Sequence, residues 1–131
     1  RIQTGIAIRP FASAALDLSD GLSGDIQHIL KASQVGAVLF EDQLAKCWMD
    51  CDYKQYLTTQ QQAQWVLAGG DDYELVFCAP PSTSEIVHAV SQATGTPVTK
   101  IGRITDQPQL VLLDAQGQAV PSKFRSFDHF A

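Results

Sequence analysis

The sequence predicts an α+β fold with α/β-type layers, in which helices cover a mixed β-sheet. Two observations lead to this fold class. In the first two thirds of the chain, short apolar segments typical of strands alternate with segments whose apolar residues have helical spacing. Towards the end, two strand-like segments follow one another without a helix between them, so the alternation of a purely α/β fold is not kept.

The elements follow from local patterns. Residues 14–18 form an apolar strand that leads into a helix, with Ser19 or Asp20 as its N-cap. This helix ends before Gly36, and residues 36–40 form the next strand.

The segment 43–59 is the least informative part of the chain. A short helix over 44–49 is expected, followed by a loop. Cys47 and Cys51 lie in this segment, but they lack the second Cys or His pair that a zinc site needs. No function is assigned to it.

The second half of the chain continues with both kinds of element. Ile86, Val87 and Val90 are expected on the inward face of a helix that closes at Gly95. The predicted elements are a helix over 60–68, a strand over 73–78, a helix over 83–93, strands over 98–104 and 109–114, and a short return at 119–120.

The composition describes one globular domain over residues 1–131. Of the 131 residues, 45% are hydrophobic and 18% are charged, with 9 Lys and Arg against 14 Asp and Glu and a net charge of −5. A charged fraction below the usual level of about 25% does not fit a disordered chain. The length is sufficient for a hydrophobic core.

The same composition argues against two kinds of partner. Nucleic acid is not expected, because the basic residues are few and scattered. A membrane is not expected, because no apolar run approaches the roughly 20 residues that span a bilayer. Three cysteines, an odd number, fit a reducing compartment, so the protein is predicted to be cytoplasmic.

The first candidate for chemistry is the segment Asp17-Leu18-Ser19-Asp20-Gly21, at a predicted junction of strand and helix. Two carboxylates bracket a hydroxyl, and Mg²⁺ prefers carboxylate, water and phosphate oxygens. A helix start also supplies unpaired N–H groups that favour phosphate. The alternative is that Ser19 and Asp20 only cap the helix, but a cap does not explain Asp17 at the end of an apolar strand.

Two further segments stand out. In Gly69-Gly70-Asp71-Asp72, the glycines permit a turn that presents adjacent carboxylates before a strand, although a plain polar turn has the same composition. Residues 124–130 contain three phenylalanines, which either pack on the sheet or stack on a planar or cationic ligand. The sequence contains no P-loop pattern, and no catalytic nucleophile is predicted from it.

Taken together, three motifs in the same order resemble the thiamine-monophosphate kinase family. They are residues 15–22 with Asp25, residues 69–75 and residues 127–130. The resemblance covers essentially the whole chain but only the carboxy-terminal half of the family's enzymes, a domain that shares its fold with aminoimidazole ribonucleotide synthetase. It implies that the amino-terminal ATP- and metal-binding domain is absent from this chain.

The resemblance implies transfer of the γ-phosphoryl group of ATP to thiamine monophosphate, giving thiamine diphosphate, with Mg²⁺ and without a covalent enzyme intermediate. It implies that Asp17 and Asp20 are metal ligands and that Ser19 contacts the nucleotide. Asp71 and Phe127 match positions that contact the substrate. It also implies a full-length homodimer, formed through the amino-terminal domain, and a fragment that is inactive alone.

Two alternatives stay open. The chain could be a non-catalytic binding or interaction domain with the same fold, although Asp17, Asp20 and Asp71 argue against a pure packing role. It could also belong to another ATP-dependent enzyme of the same superfamily with a different substrate. The motif 127–130 is the feature least expected in that case.

Overall fold

The structure, a computed structural model, describes residues 2–19, 21–47, 54–68 and 74–120. The helices are α1 (Ile2–Ile8), α2 (Leu22–Ser33), α3 (Glu41–Lys46), α4 (Thr59–Ala68) and α5 (Ser84–Thr94). The strands are β1 (Ala14–Asp17), β2 (Gly36–Phe40), β3 (Leu75–Cys78), β4 (Gly102–Thr105) and β5 (Leu110–Leu113). Within these described ranges, no helix combines the length and apolar character needed to cross a membrane.

The predicted fold class is confirmed, and the strands lie in two sheets. β1 and β3 form a two-stranded antiparallel sheet, called the ribbon here, in which Asp17 is opposite Leu75. The second sheet has the order β4-β2-β5, with β2 antiparallel to β4 and parallel to β5. The return after β5 is a single antiparallel bridge between Leu113 and Ala119.

One hydrophobic cluster joins the two sheets. Val76 of the ribbon and Leu112 of the three-stranded sheet both belong to it, so it connects elements that share no backbone hydrogen bonds. Burying a side chain of this size contributes about 2 kcal/mol. The buried members are Leu22, Ile26, Ile29, Leu30, Ala37, Leu39, Leu44, Ala63, Leu67, Val76 and Leu112.

The structure corrects the sequence-based expectations for several elements. α1 has no counterpart among the predicted elements, and its pattern explains why: Ile2 and Ile6 are 81% and 65% exposed, while Thr4 is buried. An inverted pattern of this kind gives no amphipathic signal. Ile86, expected on the inward face of α5, is 51% exposed.

Two boundaries also differ from prediction. β4 begins at Gly102, so residues 98–101 are not part of the strand. α3 begins at Glu41 directly after β2, earlier than the predicted helix over 44–49.

Candidate functional site

The first predicted motif lies where β1 meets α2. The described residues Asp17, Leu18, Ser19 and Gly21 are called the junction here. Side chains alternate along β1, so that Leu16 is half-buried and Asp17 is exposed. Ser19 is exposed as well. The junction therefore presents a carboxylate and a hydroxyl to solvent at the end of a strand packed on the core.

Two backbone N–H groups of the junction are already bonded within the protein. The N–H of Leu18 donates to the carbonyl oxygen of Glu74 at 2.8 Å. The N–H of Ser19 donates to Oδ2 of Asp25 at 2.6 Å. These two groups are therefore not available to a phosphate. They lie before the helix, so the expected unpaired N–H groups are those of the first turn of α2.

The hydroxyl of Ser19 is bound much less firmly than its N–H. Its Oγ lies 3.5 Å from Oδ1 of Asp25, which is at the long limit for a hydrogen bond. This hydroxyl keeps the capacity to donate to another acceptor, such as a phosphate oxygen.

The structure also corrects the interpretation of Ser19 as a helix cap. The N-cap of α2 is Gly21, and among the residues that the structure describes no side chain caps this end of the helix. Asp20, the other predicted cap, lies outside the described residues. Gly21 has φ 98° and ψ 151°, a conformation that is readily adopted only by glycine. Ser19 thus lies two residues before the N-cap of α2.

Gly21 also lies very close to the carboxyl end of α4. A Cβ atom at Gly21 would lie 2.7 Å from the carbonyl oxygen of Leu67 and 3.2 Å from the Cα of Ala68. The same carbonyl accepts a hydrogen bond from Oγ of Ser23 at 3.0 Å. The start of α2 and the end of α4 are therefore in direct contact, and a larger residue than glycine would separate them.

This contact brings the two ends of the second motif to the junction. Segment 69–73 lies outside the described residues, but the residues on either side of it are described. Ala68 contacts Gly21, and Glu74 accepts the hydrogen bond of Leu18. The fold therefore leads the chain into and out of the second motif at the place where the first motif lies.

The predicted site residues divide into two groups. Asp17 and Ser19 are described, and the structure places both at the junction. Asp20, Asp71 and Phe127 lie outside the described residues.

Asp25 contacts the junction from α2, a role that the sequence does not reveal. It is 4% exposed and lies one turn into α2, where it binds the backbone of Ser19. A signal does exist in the sequence: the residue lies on the same helix face as Leu22 and Ile29, which are core residues. An acid on a buried face requires a polar partner, and here that partner is the preceding loop.

An open cleft lies between α1 and the ribbon, lined on the ribbon side by Ala14, Ala15 and Leu75. It has a volume of about 290 Å³ and contains one charged side chain in its wall, that of Arg9. Leu75, the residue opposite Asp17 in the register, also lines it. The cleft thus combines an apolar surface with one cation, and it reaches the register position of Asp17 through Leu75.

The metal-binding capacity of the described residues is limited. Among residues 2–19, 21–47, 54–68 and 74–120, no group of three or more His, Cys, Asp or Glu side chains is arranged to hold a metal ion. An exposed carboxylate with hard oxygen donors does fit Mg²⁺, which commonly takes one or two carboxylates and completes its shell with water and phosphate. Asp17 fits a part of such a site.

The family described as AIR synthase related protein, C-terminal domain, matches residues 6–114 of this chain. Thiamine-monophosphate kinase of Escherichia coli strain K12 is 35% identical over 131 residues, which are 100% of this chain and 39% of the relative. Thiamine-monophosphate kinase of Salmonella typhimurium is 37% identical, also over 100% of this chain and 39% of the relative. The chain thus spans well under half the length of these curated relatives.

Solved structures agree with the sequence relatives. Thiamine-monophosphate kinase from Stenotrophomonas maltophilia K279a has a TM-score of 0.78 and 34% identity, covering 92% of this chain and 36% of that one. A structure described as AaThiL complexed with AMPPCP and TMP has a TM-score of 0.65 and 25% identity, covering 92% of this chain and 35% of that one. The resemblance drawn from the sequence motifs is confirmed.

Proposed function

The chain belongs to the AIR synthase related proteins, and we propose that it is the carboxy-terminal domain of a kinase that converts thiamine monophosphate to thiamine diphosphate with ATP. The observation that carries this proposal is the similarity of the whole chain to proteins named thiamine-monophosphate kinase. The structure described as AaThiL complexed with AMPPCP and TMP supports the two substrates, a nucleotide and thiamine monophosphate. As predicted from the sequence, we place this kinase in the cytoplasm.

We assign Asp17 and Asp20 as ligands of Mg²⁺. The support is the exposed position of Asp17 at the end of β1 and the chemistry of its carboxylate. When bound, Mg²⁺ neutralises phosphate charge and so supplies electrostatic stabilisation of the transferring group. Phosphate oxygens and residues from the rest of the full-length protein would supply the remaining ligands of the metal.

We assign Ser19 as a nucleotide contact through its hydroxyl rather than its backbone. Its N–H is already bound by Asp25, while its Oγ has only the long contact of 3.5 Å to the same carboxylate. A hydroxyl so placed donates one hydrogen bond to a phosphate oxygen. It positions the nucleotide without taking part in a covalent step.

The substrate side is assigned to Asp71 and Phe127. The support for Asp71 is that Ala68 and Glu74, which flank segment 69–73, both lie at the junction. An acid and an aromatic ring suit the cationic thiazolium of thiamine. Phosphoryl transfer needs positioning and charge neutralisation more than a nucleophilic side chain, so no catalytic residue is assigned in this domain.

The proposal is tested by incubating the full-length protein with ATP, Mg²⁺ and thiamine monophosphate, and by measuring thiamine diphosphate chromatographically. We expect product that depends on all three additions, and none from residues 1–131 alone. The absence of product from full-length protein that is folded would contradict the proposal. Formation of product by residues 1–131 would contradict the assignment of this chain as one part of the site.

A variant pair tests the substrate side separately. Phe127→Ala should raise KM for thiamine monophosphate by about 2- to 30-fold, the loss expected for one cation–π contact, with KM for ATP nearly unchanged. Phe124→Ala is the control, since it removes a neighbouring ring to which no substrate contact is assigned. Equal effects of both variants on KM for thiamine monophosphate would remove Phe127 from the substrate site.

A further inference from the structure

A buried carboxylate holds the loop that carries the proposed metal and nucleotide contacts, and we propose that Asp25 is a positioning residue of this site. The inference rests on the proposed function for the identity of the ligands, Mg²⁺ and nucleotide phosphate. Asp25 is 4% exposed and lies in the first turn of α2. It does not itself reach solvent, so it acts through the residues it binds.

The hydrogen bond from Asp25 fixes the middle of the first motif. Oδ2 of Asp25 accepts the N–H of Ser19 at 2.6 Å, and Ser19 lies in the chain between Asp17 and Asp20. A bond from an N–H to an ionised carboxylate is about twice as strong as one between neutral groups. One carboxylate thus sets the backbone position of Ser19, two residues after the proposed ligand Asp17.

The acceptor is itself held in place from two directions. The N–H of Asp25 donates to the carbonyl of Gly21 at 3.0 Å, which closes the first turn of α2. Ser23, in the same turn, donates its hydroxyl hydrogen to the carbonyl of Leu67 at 3.0 Å. The loop is therefore anchored to a turn that is docked on α4, and its geometry exists before a ligand arrives.

A purely structural role explains this arrangement less well. In a capping box the acid at the third helical position accepts the N–H of the N-cap residue, whereas Asp25 is at the fourth position and accepts the N–H of Ser19, two residues before the N-cap Gly21. An apolar residue at position 25 would extend the core face formed by Leu22 and Ile26, without the cost of burying a charge. What the carboxylate adds is the fixed position of an exposed loop.

The first test measures amide hydrogen exchange at Ser19, resolved by nuclear magnetic resonance, in the full-length protein. Asp25→Ala should make this amide exchange at least about ten times faster, since its acceptor is lost. Asp25→Asn keeps an oxygen acceptor and should change the rate by about threefold or less. Ser19→Ala keeps the N–H and should stay protected, and Glu85→Ala, at a first-turn acid of α5, should have no effect.

The second test measures the concentration of Mg²⁺ that half-saturates the kinase at fixed ATP. Asp25→Ala should raise it by about tenfold or more, as is typical when a residue that orients a metal ligand is removed, and Asp25→Asn should raise it less. An unchanged exchange rate at Ser19 in Asp25→Ala would overturn the proposal. Faster exchange at Ser19 in Asp25→Ala, without a change in the half-saturating concentration of Mg²⁺, would also overturn the proposal.

A third variant keeps the proposal testable if Asp25→Ala does not fold. Asp25→Glu retains the charge and moves the acceptor by one methylene, so both the exchange rate and the Mg²⁺ requirement should increase. A variant identical to the wild type in both would overturn the proposal. If the wild type forms no thiamine diphosphate, the proposed function fails, whereas the exchange at Ser19 still decides whether Asp25 holds the loop.

Discussion

At the end of β1, residues 18–21 separate the strand from α2, whereas α3 follows β2 without an intervening residue. Both helices have acidic residues at or just before their first turn. In the first case Asp17 ends the strand as an exposed side chain. In the second case Glu41 and Asp42 already belong to the helix.

Asp17 and the pair Glu41 and Asp42 therefore have different surroundings. Glu41 and Asp42 lie in the first turn of α3, where the helix dipole favours negative charge. Burial raises the pKa of the Glu41 carboxyl, and the charges of Asp114 and Asp42 raise it further. The helix thus explains the position of Asp42, whereas at Glu41 burial and the neighbouring charges outweigh the dipole.

The junction after β1 has no such explanation. Its acid belongs to a strand end, its serine does not cap the helix, and its loop is held by Asp25 and Gly21. An acid after an apolar strand is thus insufficient to indicate a site. The connection between β1 and α2 differs because it contains a loop that Asp25 holds in place, while Asp17 remains exposed.

The largest expected effect comes from Gly21→Ala. Its φ of 98° and the 2.7 Å approach of Leu67 would strain the backbone and separate α2 from α4. We expect a loss of about 3 kcal/mol in the free energy of unfolding, measured by urea denaturation. Gly95→Ala is the control: it also has positive φ, at 65°, but open space around it. A loss there of about 1 kcal/mol is expected, and equal losses would mean that the contact with α4 is unimportant.

The next largest effect compares an acid from each of the two strand-to-helix connections, Asp17 after β1 and Asp42 after β2. Asp17→Asn should lower kcat for thiamine diphosphate formation by about 100-fold, since it removes a charge that holds the metal. Asp42→Asn, in the first turn of α3 after β2, should leave kcat within about twofold, the range expected for a substitution away from the site. Comparable losses in both variants would show that the structural difference between the two connections has no functional meaning.

A smaller effect is expected from Ser19→Ala. Loss of one hydrogen bond to phosphate costs about 1 to 2 kcal/mol, or roughly 5- to 30-fold in kcat/KM for ATP. Ser13→Ala serves as the control at the other end of β1, where an exposed hydroxyl donates to the carbonyl of Cys78 at 3.1 Å. An unchanged kcat/KM in Ser19→Ala would withdraw the assignment of its hydroxyl.

The smallest effect concerns Glu41. Because its pKa is raised in the folded protein, the folded state binds this proton more tightly than the unfolded state does. The corresponding stability is present at low pH and is lost as the pH rises above the ordinary value of about 4.3. Glu41→Gln should therefore stabilise the protein at pH 7, by about 0.5 kcal/mol or less for a partly exposed group.

Thermal denaturation at several pH values checks this expectation, with Glu85→Gln as the control in the first turn of α5. The gain from Glu41→Gln should shrink as the pH is lowered towards 4. A gain that is the same at every pH would show that the charge on Glu41 is not its cause.

Much of the fold could be predicted from local patterns. α2 and α4 have apolar residues with helical spacing, and β2 is a short apolar run, so their positions were predicted closely. The division into two sheets could not be predicted, because pairing depends on contacts between distant segments that no local pattern records. α1 was missed because its exposed positions carry isoleucine.

The site was predictable to a similar extent. Asp17 is conspicuous in the sequence, as an acid that interrupts an apolar strand. The binding of Ser19 by Asp25 and the close approach of Gly21 to α4 both depend on how α2 is docked, which only the folded chain shows. For that reason the sequence suggested a helix cap at Ser19, where the structure has an exposed hydroxyl.

The pairing of the strands has a consequence for how this domain forms during synthesis. Asp17 pairs with Leu75, and Ala37 pairs with Leu110, so the first two strands find their partners about half a chain later. Domains dominated by such distant contacts fold slowly, since long loops must close before any pairing stabilises them. While β2 emerges from the ribosome, both of its neighbours are still unmade, and its apolar edges remain open to association with other chains.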